Sequence, residues 1–385
     1  MNGLQDDSSK KHEVIGEGTY GCVLKPSLPC KNQRVAPKHK LSKVMLKKHA
    51  IDEYNEMKKI ASIPGIDEYI IPMPELCEPV INKTFLRNTA KCENKKLRSH
   101  DPRDFRMLIV EDGGIALDHF NRNILPTLSD IDKSIFFTKI FHLLKSLEFF
   151  NKNGIIHHDI KQDNVVYNME TGNIRFIDFG LMKTRKAMIQ TSMINMNNEA
   201  VTFHNFPPEY KCANIDDYVN DDGCSIKMGY TAYLERLVNT FDSYSFGKMM
   251  TKFLEASKNE LRFMTEPGYN SVYEFFNTLR EEDISKRTYT IEDLPQQYKR
   301  ILERYKIWKD DIAPSPSKSS IDKYKKWKKT YNLSKQDKNS LLGALKKRRQ
   351  CRHGFKRDRV TKKCVRKCKD GHIRDKQTRR CRKKT

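Results

Sequence analysis

The sequence predicts a chain of mixed α and β structure: a β-rich first part, a helix-rich second part meeting it near residue 111, and a basic tail. Three observations carry this. Before residue 111, apolar runs of strand length are bounded by Gly and Pro. After it, apolar residues recur every three or four positions over long stretches. Charge is concentrated at the C-terminal end: residues 340–385 hold 20 Lys/Arg against 3 Asp, a net of +17, which leaves +7 for the rest of a chain of net +24.

The elements follow in order. Val14-Ile15 and Cys22-Val23-Leu24 flank a Gly-rich turn and read as a hairpin. Leu41 to Leu46 reads as a further strand, and Ala50 to Ile60, with Tyr54, Met57 and Ile60 at helical spacing, as a helix. Met107 to Val110 is a short apolar strand running into the turn Glu111-Asp112-Gly113-Gly114. Ile135, Ile140, Leu143, Leu147 and Phe150 mark one face of a helix over 131–150. Ile174 to Ile177 is a strand feeding Asp178. Phe241 to Leu254 and Glu292 to Tyr305 are helices, the second closing the globular part. A Pro/Ser linker follows at Ala313 to Ser320, then a basic run from Tyr324 that is either helical or extended.

At 385 residues, 37% hydrophobic and 32% charged, the chain can bury a sizeable core. No apolar run approaches the ~20 residues of a membrane span. The N-terminus lacks the apolar core of a secretory signal, so cytoplasmic residence is expected. Cys22, Cys30, Cys77, Cys92, Cys212 and Cys224 are scattered with no C-x-x-C pair, which predicts that most are free thiols.

The chemistry is concentrated in His157-His158-Asp159-Ile160-Lys161-Gln162-Asp163-Asn164, followed closely by Asp178-Phe179-Gly180. Phosphoryl transfer needs a carboxylate to orient the attacking hydroxyl, and oxygen ligands to hold Mg²⁺ against the phosphates. Gly16-Glu17-Gly18-Thr19-Tyr20-Gly21-Cys22-Val23 matches G-x-G-x-x-G-x-V, in which backbone amides approach phosphate oxygens closely. A strand rather than a helix follows it, against a dinucleotide fold. The phosphate-bridging lysine is Lys43, inside a good strand, or Lys38, in a run broken by Pro37. Its glutamate partner is Glu53 or Glu56.

Together these motifs resemble the eukaryotic-type serine/threonine protein kinases, over residues 12–306. The resemblance implies a two-lobed α+β fold using ATP and Mg²⁺ on a protein substrate. Asp159 would be the catalytic base, Lys161 the γ-phosphate contact, and Asn164 and Asp178 the metal ligands. Ile15 and the 16–23 loop, Lys43, Glu53, Glu111 and Gly113 would line the nucleotide site. Lys161 is characteristic of the serine/threonine class. Small-molecule kinases share the catalytic loop, but Phe206-Pro-Pro208-Glu209 resembles the A-P-E of a peptide platform, and Asp242 to Gly247 resembles the D-x-W-S-x-G helix of protein kinases. An inactive protein on the same fold is the other alternative, against which all the catalytic positions are filled.

His158 replaces the usual Arg that pairs with an activation-segment phosphate, so activity is expected not to depend strictly on phosphorylation at Thr184, Thr191 or Ser192. Asp216-Asp217 and Asp221-Asp222 form an acidic insert that is either a solvated loop or a selector of basic substrates. Tyr20 to Cys30, with Leu41 to Met45 and Glu75 to Pro79, is similar to kinases of large nucleocytoplasmic DNA viruses, which implies a host-cytoplasmic protein that can be packaged in the virion.

The tail is a tandem repeat. Cys351 to Lys367 aligns with Cys368 to Lys384 at a 17-residue offset, with Cys, Gly, Arg, Asp, Thr and Cys recurring. Basic repeats of this type occur in proteins of the same viruses. Each unit is expected to be a hairpin clipped by Cys351–Cys364 or Cys368–Cys381, with four-cysteine zinc binding as the alternative. The domains expected are an N-terminal extension (1–11), the kinase part (12–306), a basic linker (307–350) and the repeats (351–385). Residues 340–385 imply an anionic partner, nucleic acid or an acidic protein.

Overall fold

The computed structural model describes residues 12–17, 20–32, 40–193, 205–213, 218–219, 228–309 and 316–328, with the backbone of four short strands between 355 and 383. The chain divides into two compact units, Met1–Tyr324 and Lys325–Thr385.

The first part of the larger unit is an antiparallel sheet of β1 (Glu13–Glu17), β2 (Gly21–Lys25), β3 (Lys40–Leu46), β4 (Glu75–Cys77) and β5 (Phe105–Glu111), in the order β1-β2-β3-β5-β4. Register decides which chemistry each face carries. Val23 lies opposite Lys43, and Lys43 opposite Leu108; Cys22 lies opposite Val44, and Val44 opposite Met107. Because side chains alternate, Val23 and Lys43 share the inner face and Cys22, Leu24 and Val44 the outer one. Helix α1 (Lys47–Ala61) packs on the inner face, with Ala50 and Tyr54 against Met45 and Leu108.

The outer face is covered by a segment for which the sequence predicted no element. Helices α2 (Lys83–Thr89) and α3 (Lys95–Arg98) bring Phe85 and Leu97 onto Leu24, Val44, Phe105 and Met107. Disulfide Cys22–Cys92 joins this insert to β2 across 70 residues, and Cys30–Cys77 joins the segment after β2 to β4 across 47. Cys212 is disulfide-bonded as well. The expectation of free thiols is therefore corrected. Local spacing says nothing about cysteines that a folded sheet brings together.

The second part is helical, with two small sheets. β6 (Ile115–Ala116) leads into α4 (Leu117–Asn123), and α5 (Asp130–Lys152) is capped by Ser129, which accepts from Asp132 N–H at 3.2 Å. β7 (Ile155–Ile156), β8 (Val165–Tyr167), β9 (Ile174–Phe176) and β10 (Lys183–Thr184) pair as β6-β8-β9 and β7-β10. Then come α6 (Arg185–Met193), α7 (Tyr230–Ala256), α8 (Glu266–Leu279) and α9 (Leu294–Arg304). α7 begins well before the predicted Phe241. The core is aromatic: Phe120, Phe136, Tyr167 and Phe253 are all essentially unexposed, with ring centres 4.5–5.6 Å apart.

The unit does not close at residue 306. Trp308 packs on Phe141 at 5.4 Å, and Lys309 N–H donates to Thr138 Oγ1 at 3.0 Å. Ser317 N–H and Oγ and Ser320 Oγ donate to Asp132 at 2.7, 2.8 and 2.6 Å, at the start of a helix over 318–328. Asp132 is 1% exposed. Burial alone would raise its pKa, but the donors from Ser129, Ser317 and Ser320 hold it below the usual carboxylate value.

In the smaller unit, β11 (Phe355–Arg357) pairs with β12 (Cys364–Arg366), and β13 (His372–Arg374) with β14 (Cys381–Lys383). Each repeat is thus a hairpin in the same register. The proposed cysteine pairs lie outside the described residues, as do Asp216, Asp217, Asp221 and Asp222 of the acidic insert. Among the described residues no helix is long and apolar enough to cross a membrane.

Candidate active site

The loop after β7 is held from below. Asp242, inside α7, accepts the backbone N–H of His157 at 2.7 Å and of His158 at 3.0 Å. Burial pushes the Asp242 carboxyl up to about 6, against these two donors, which pull it down. His157 is unexposed and kept neutral by burial. Its Nδ1 accepts from Asp159 N–H at 3.4 Å, which leaves Nε2 to donate to Ile177 O at 3.1 Å. The Phe179 ring sits 4.5 Å from the His157 ring, so the Asp178 segment and the catalytic loop share one buried stack.

Asp159 is oriented by two donors: its Oδ2 lies 2.6 Å from Lys161 Nζ and 2.7 Å from Asn164 Nδ2. Asn164 Nδ2 also donates to Asp159 O at 2.9 Å. Both amide hydrogens are thereby used, and the Oδ1 oxygen is left as an acceptor. Asp178 has φ +63, and its Oδ1 is 3.7 Å from Lys43 Nζ. Desolvation raises its pKa even though the side chain is 45% exposed, but Lys43 and the Gly180 N–H outweigh this and keep it below the usual value. Asn164 and Asp178 offer hard oxygen donors, one of them anionic, and that set suits Mg²⁺.

Lys43 reaches across from the sheet to both oxygens of Glu53 on α1, at 2.7 and 2.8 Å. Burial would lower the lysine pKa, but Asp178 and Glu53 more than offset it, so the ammonium is held charged. Glu56 instead pairs with Lys59 at 2.8 Å. Lys38 lies outside the described residues, as do Gly18 and Thr19. Ile15, Gly16 and Glu17 end β1, and Tyr20 precedes β2 with its ring 4.6 Å from His49. Gly21 opens β2, where a Cβ would lie 2.7 Å from Val44 O. Gly16 lies against Val23. Cys22 does not belong with the nucleotide residues: its side chain is on the outer face, in the disulfide. Glu17 also turns to the insert, its Oε1 accepting Glu93 N–H at 2.8 Å.

At the far end of the cleft, Glu111 ends β5 opposite Lys40. A Cβ on Gly113 would lie 2.6 Å from Ile71 and 2.7 Å from Val166. Gly114 combines φ +108 with a Cβ position 2.2 Å from Tyr167 O, so glycine is required there. Between these residues Asp112, expected only as part of the turn, forms an ion pair with Lys25. Arg287, which the sequence did not mark, pairs with Glu209 through both oxygens, Nη2 to Oε2 at 3.0 Å. Arg287 is 78 residues from Glu209, and no local motif marks it.

The segment after Asp178 is also anchored. β10 pairs with β7, and Arg185 donates to Gly154 O and Asn151 O, both at 2.8 Å. Met188 of α6 is buried against Phe206, Tyr233 and Leu237. Thr184 caps α6, its Oγ1 accepting Ala187 N–H at 3.1 Å.

Over 96 residues, 23% of this chain, the sequence is 30% identical to serine/threonine-protein kinase ppk31 of Schizosaccharomyces pombe, and the match spans 9% of that protein's length. The protein kinase domain family matches residues 9–218, more than half of the chain. The chain belongs to the protein kinase domain family.

Proposed function

We propose that the protein is a serine/threonine protein kinase that transfers the γ-phosphoryl group of ATP to a protein hydroxyl. The observation that carries this is the Lys43 ammonium, held 2.7 Å from Glu53 and 3.7 Å from Asp178. That arrangement links the sheet and α1 to the Asp178 segment in the form phosphoryl transfer needs. Lys43 binds phosphate oxygens, and the amides around Gly16 and Gly21 cover them. Asp159 orients the acceptor hydroxyl and takes its proton as the phosphoryl group passes to the oxygen. Lys161, already bonded to Asp159, offers positive charge to the transferring group. Asn164 and Asp178 would hold Mg²⁺, whose charge offsets that on the phosphates. The Pro208-Glu209 element, fastened by Arg287, supports a peptide rather than a small-molecule acceptor.

The test is transfer of labelled phosphate to a generic basic protein by wild type and Asp159→Asn. Turnover is expected to fall by at least ~10²-fold in the variant with nucleotide binding retained. Near-normal turnover would overturn the assignment, and transfer only to sugars or nucleosides would move it to the small-molecule kinases.

We also assign the tail a tethering role toward nucleic acid, supported by its net charge and its two hairpins in matching register. The repeats and the Tyr20–Cys30 segment support origin in a large nucleocytoplasmic DNA virus. Disulfides are uncommon in a reducing cytosol, so Cys22–Cys92 and Cys30–Cys77 favour a packaged form over a purely cytoplasmic one.

A further inference from the structure

Three consecutive residues of the insert hold the glycine-rich hairpin. Lys91 Nζ donates to His12 O at 2.6 Å, Cys92 is bonded to Cys22, and Glu93 N–H donates to Glu17 Oε1 at 2.8 Å. His12 precedes β1, Glu17 ends it, and Cys22 lies one residue into β2. The grips therefore fall on both sides of the turn that would cover the phosphates. The second disulfide does something different. Cys30–Cys77 lies beside Pro29–Lys31, which runs along Glu78–Val80 at the root of the insert. Under the insert, Phe85 and Leu97 pack on the outer face of the sheet, so the clamp rests on a core of its own.

We propose that the insert is a positioning element for ATP, and that the redox state of Cys22–Cys92 sets how tightly the hairpin holds the nucleotide. This rests on the kinase reading above. A free glycine-rich hairpin must be ordered each time nucleotide binds, and a hairpin already bonded to a packed support has less freedom to lose. Val23, the neighbour of Cys22 on the opposite face, then keeps a fixed place over the cleft. Cys22 and Cys92 are both unexposed, so glutathione reaches them only when the hairpin lifts from the insert. Phe85 and Leu97 hold the insert to the sheet without the bond, so the loss falls on hairpin order before it falls on the fold. Linkage makes the effect reciprocal: whatever the disulfide adds to nucleotide affinity, bound nucleotide adds to the disulfide's resistance to reduction.

The chemistry is thiol–disulfide exchange with a low-molecular-weight disulfide such as oxidised glutathione. One cysteine thiolate attacks a glutathione sulfur, forming a mixed disulfide and releasing one glutathione thiolate. The second cysteine thiolate then displaces the other glutathione. Two protein thiols lose two protons and two electrons to give Cys22–Cys92, and one oxidised glutathione becomes two reduced ones.

The experiment uses the full chain equilibrated in oxidised or reduced glutathione. It reads KM for ATP, kcat, and direct binding of a fluorescent ATP analogue. Reduction is expected to raise KM and the analogue's Kd by about 5-fold or more, a usual size for coupling between sites, with kcat within about twofold. The Cys22→Ala/Cys92→Ala double variant should match the reduced protein and no longer respond to glutathione. Cys30→Ala/Cys77→Ala should melt earlier yet keep the glutathione response. Unchanged nucleotide affinity on reduction, or loss of the response in both double variants alike, would overturn the proposal. Nucleotide binding without phosphate transfer in any state would instead refute the kinase reading, while the binding arm still decides this one.

Discussion

The His158 ring lies 4.6 Å from Phe206 and 4.7 Å from Phe241, stacked on the latter, and neither of its nitrogens has a hydrogen-bond partner. The residue also has φ +66, a conformation non-glycine residues adopt only when their surroundings enforce it. Burial first, then Lys183 and His157, push its pKa down to about 3 from an ordinary value of 6.5. The unfolded chain therefore takes up a proton below pH 6.5 that the folded chain refuses until about 3. This contribution to stability is complete above 6.5 and declines as pH falls through that window. Asp242 works in the opposite sense: with its folded pKa at about 6 against 3.8, its contribution is largest at low pH and is lost as pH rises through 6. Replacing His158 with Phe keeps the stack, removes two unbonded polar atoms and abolishes the first effect. His158→Phe is expected to gain about 1–3 kcal/mol in urea denaturation at pH 7. The gain should widen at pH 5; a gain that narrows on acidification would contradict this account of His158.

At the scale of elements, the segment after Asp178 is held by apolar packing where a phosphate-binding arginine would otherwise act. Phe206 and Tyr210 close on His158 and Phe241, and α6 buries Met188 beneath them. Ser192 is 1% exposed, so its hydroxyl is not presented to another kinase, and Thr191 Oγ1 donates to Ala187 O at 3.0 Å. Replacing Thr184, Thr191 and Ser192 together with Ala should leave kcat within about threefold, at a cost of about 1 kcal/mol from the lost Thr184 cap. Loss of activity in a variant that still melts cooperatively would show that the segment needs a phosphate. Legibility follows the same division. The catalytic loop could be read because its chemistry is contiguous, from Asp159 to Asn164. Lys43 and Glu53 could be read because strand and helix periods placed them on facing sides. The clamp could not: Cys22 and Cys92 are 70 residues apart, and α2 and α3 are too short to show periodicity. α6 was hidden for the same reason, since its apolar residues face α7 and not a pattern of its own.

At the scale of the molecule, a kinase unit of modest charge carries a small polycationic one. Hairpins of three-residue strands cannot bury a core, which suits them to display charge. Binding to duplex DNA should be insensitive to sequence. If ~6–10 phosphates are engaged, affinity should fall roughly 10³–10⁵-fold between 50 and 200 mM salt. A titration that is flat across this range, or unaltered after deleting residues 340–385, would exclude nucleic acid and leave an acidic protein as the partner.

Asp132 has a bearing on where the chain can be cut. Its carboxylate accepts from the Ser129 hydroxyl that caps α5 and from Ser317 and Ser320 at the first turn of the helix at 318–328, so one carboxylate joins the starts of two helices. Ile307 and Tyr324, 3% and 4% exposed, bury apolar surface alongside. The smallest self-sufficient folding unit is thus longer than the stretch carrying the catalytic motifs. A protein ending at 306 should be less stable than one ending at 328 by roughly 3 kcal/mol or more, counting the two apolar side chains alone. Equal denaturation midpoints for the two truncations would show that the clasp is energetically idle. If the difference is found, a protease that severs the tail before residue 317 does more than release a tether: it loosens the helix from which the catalytic loop begins.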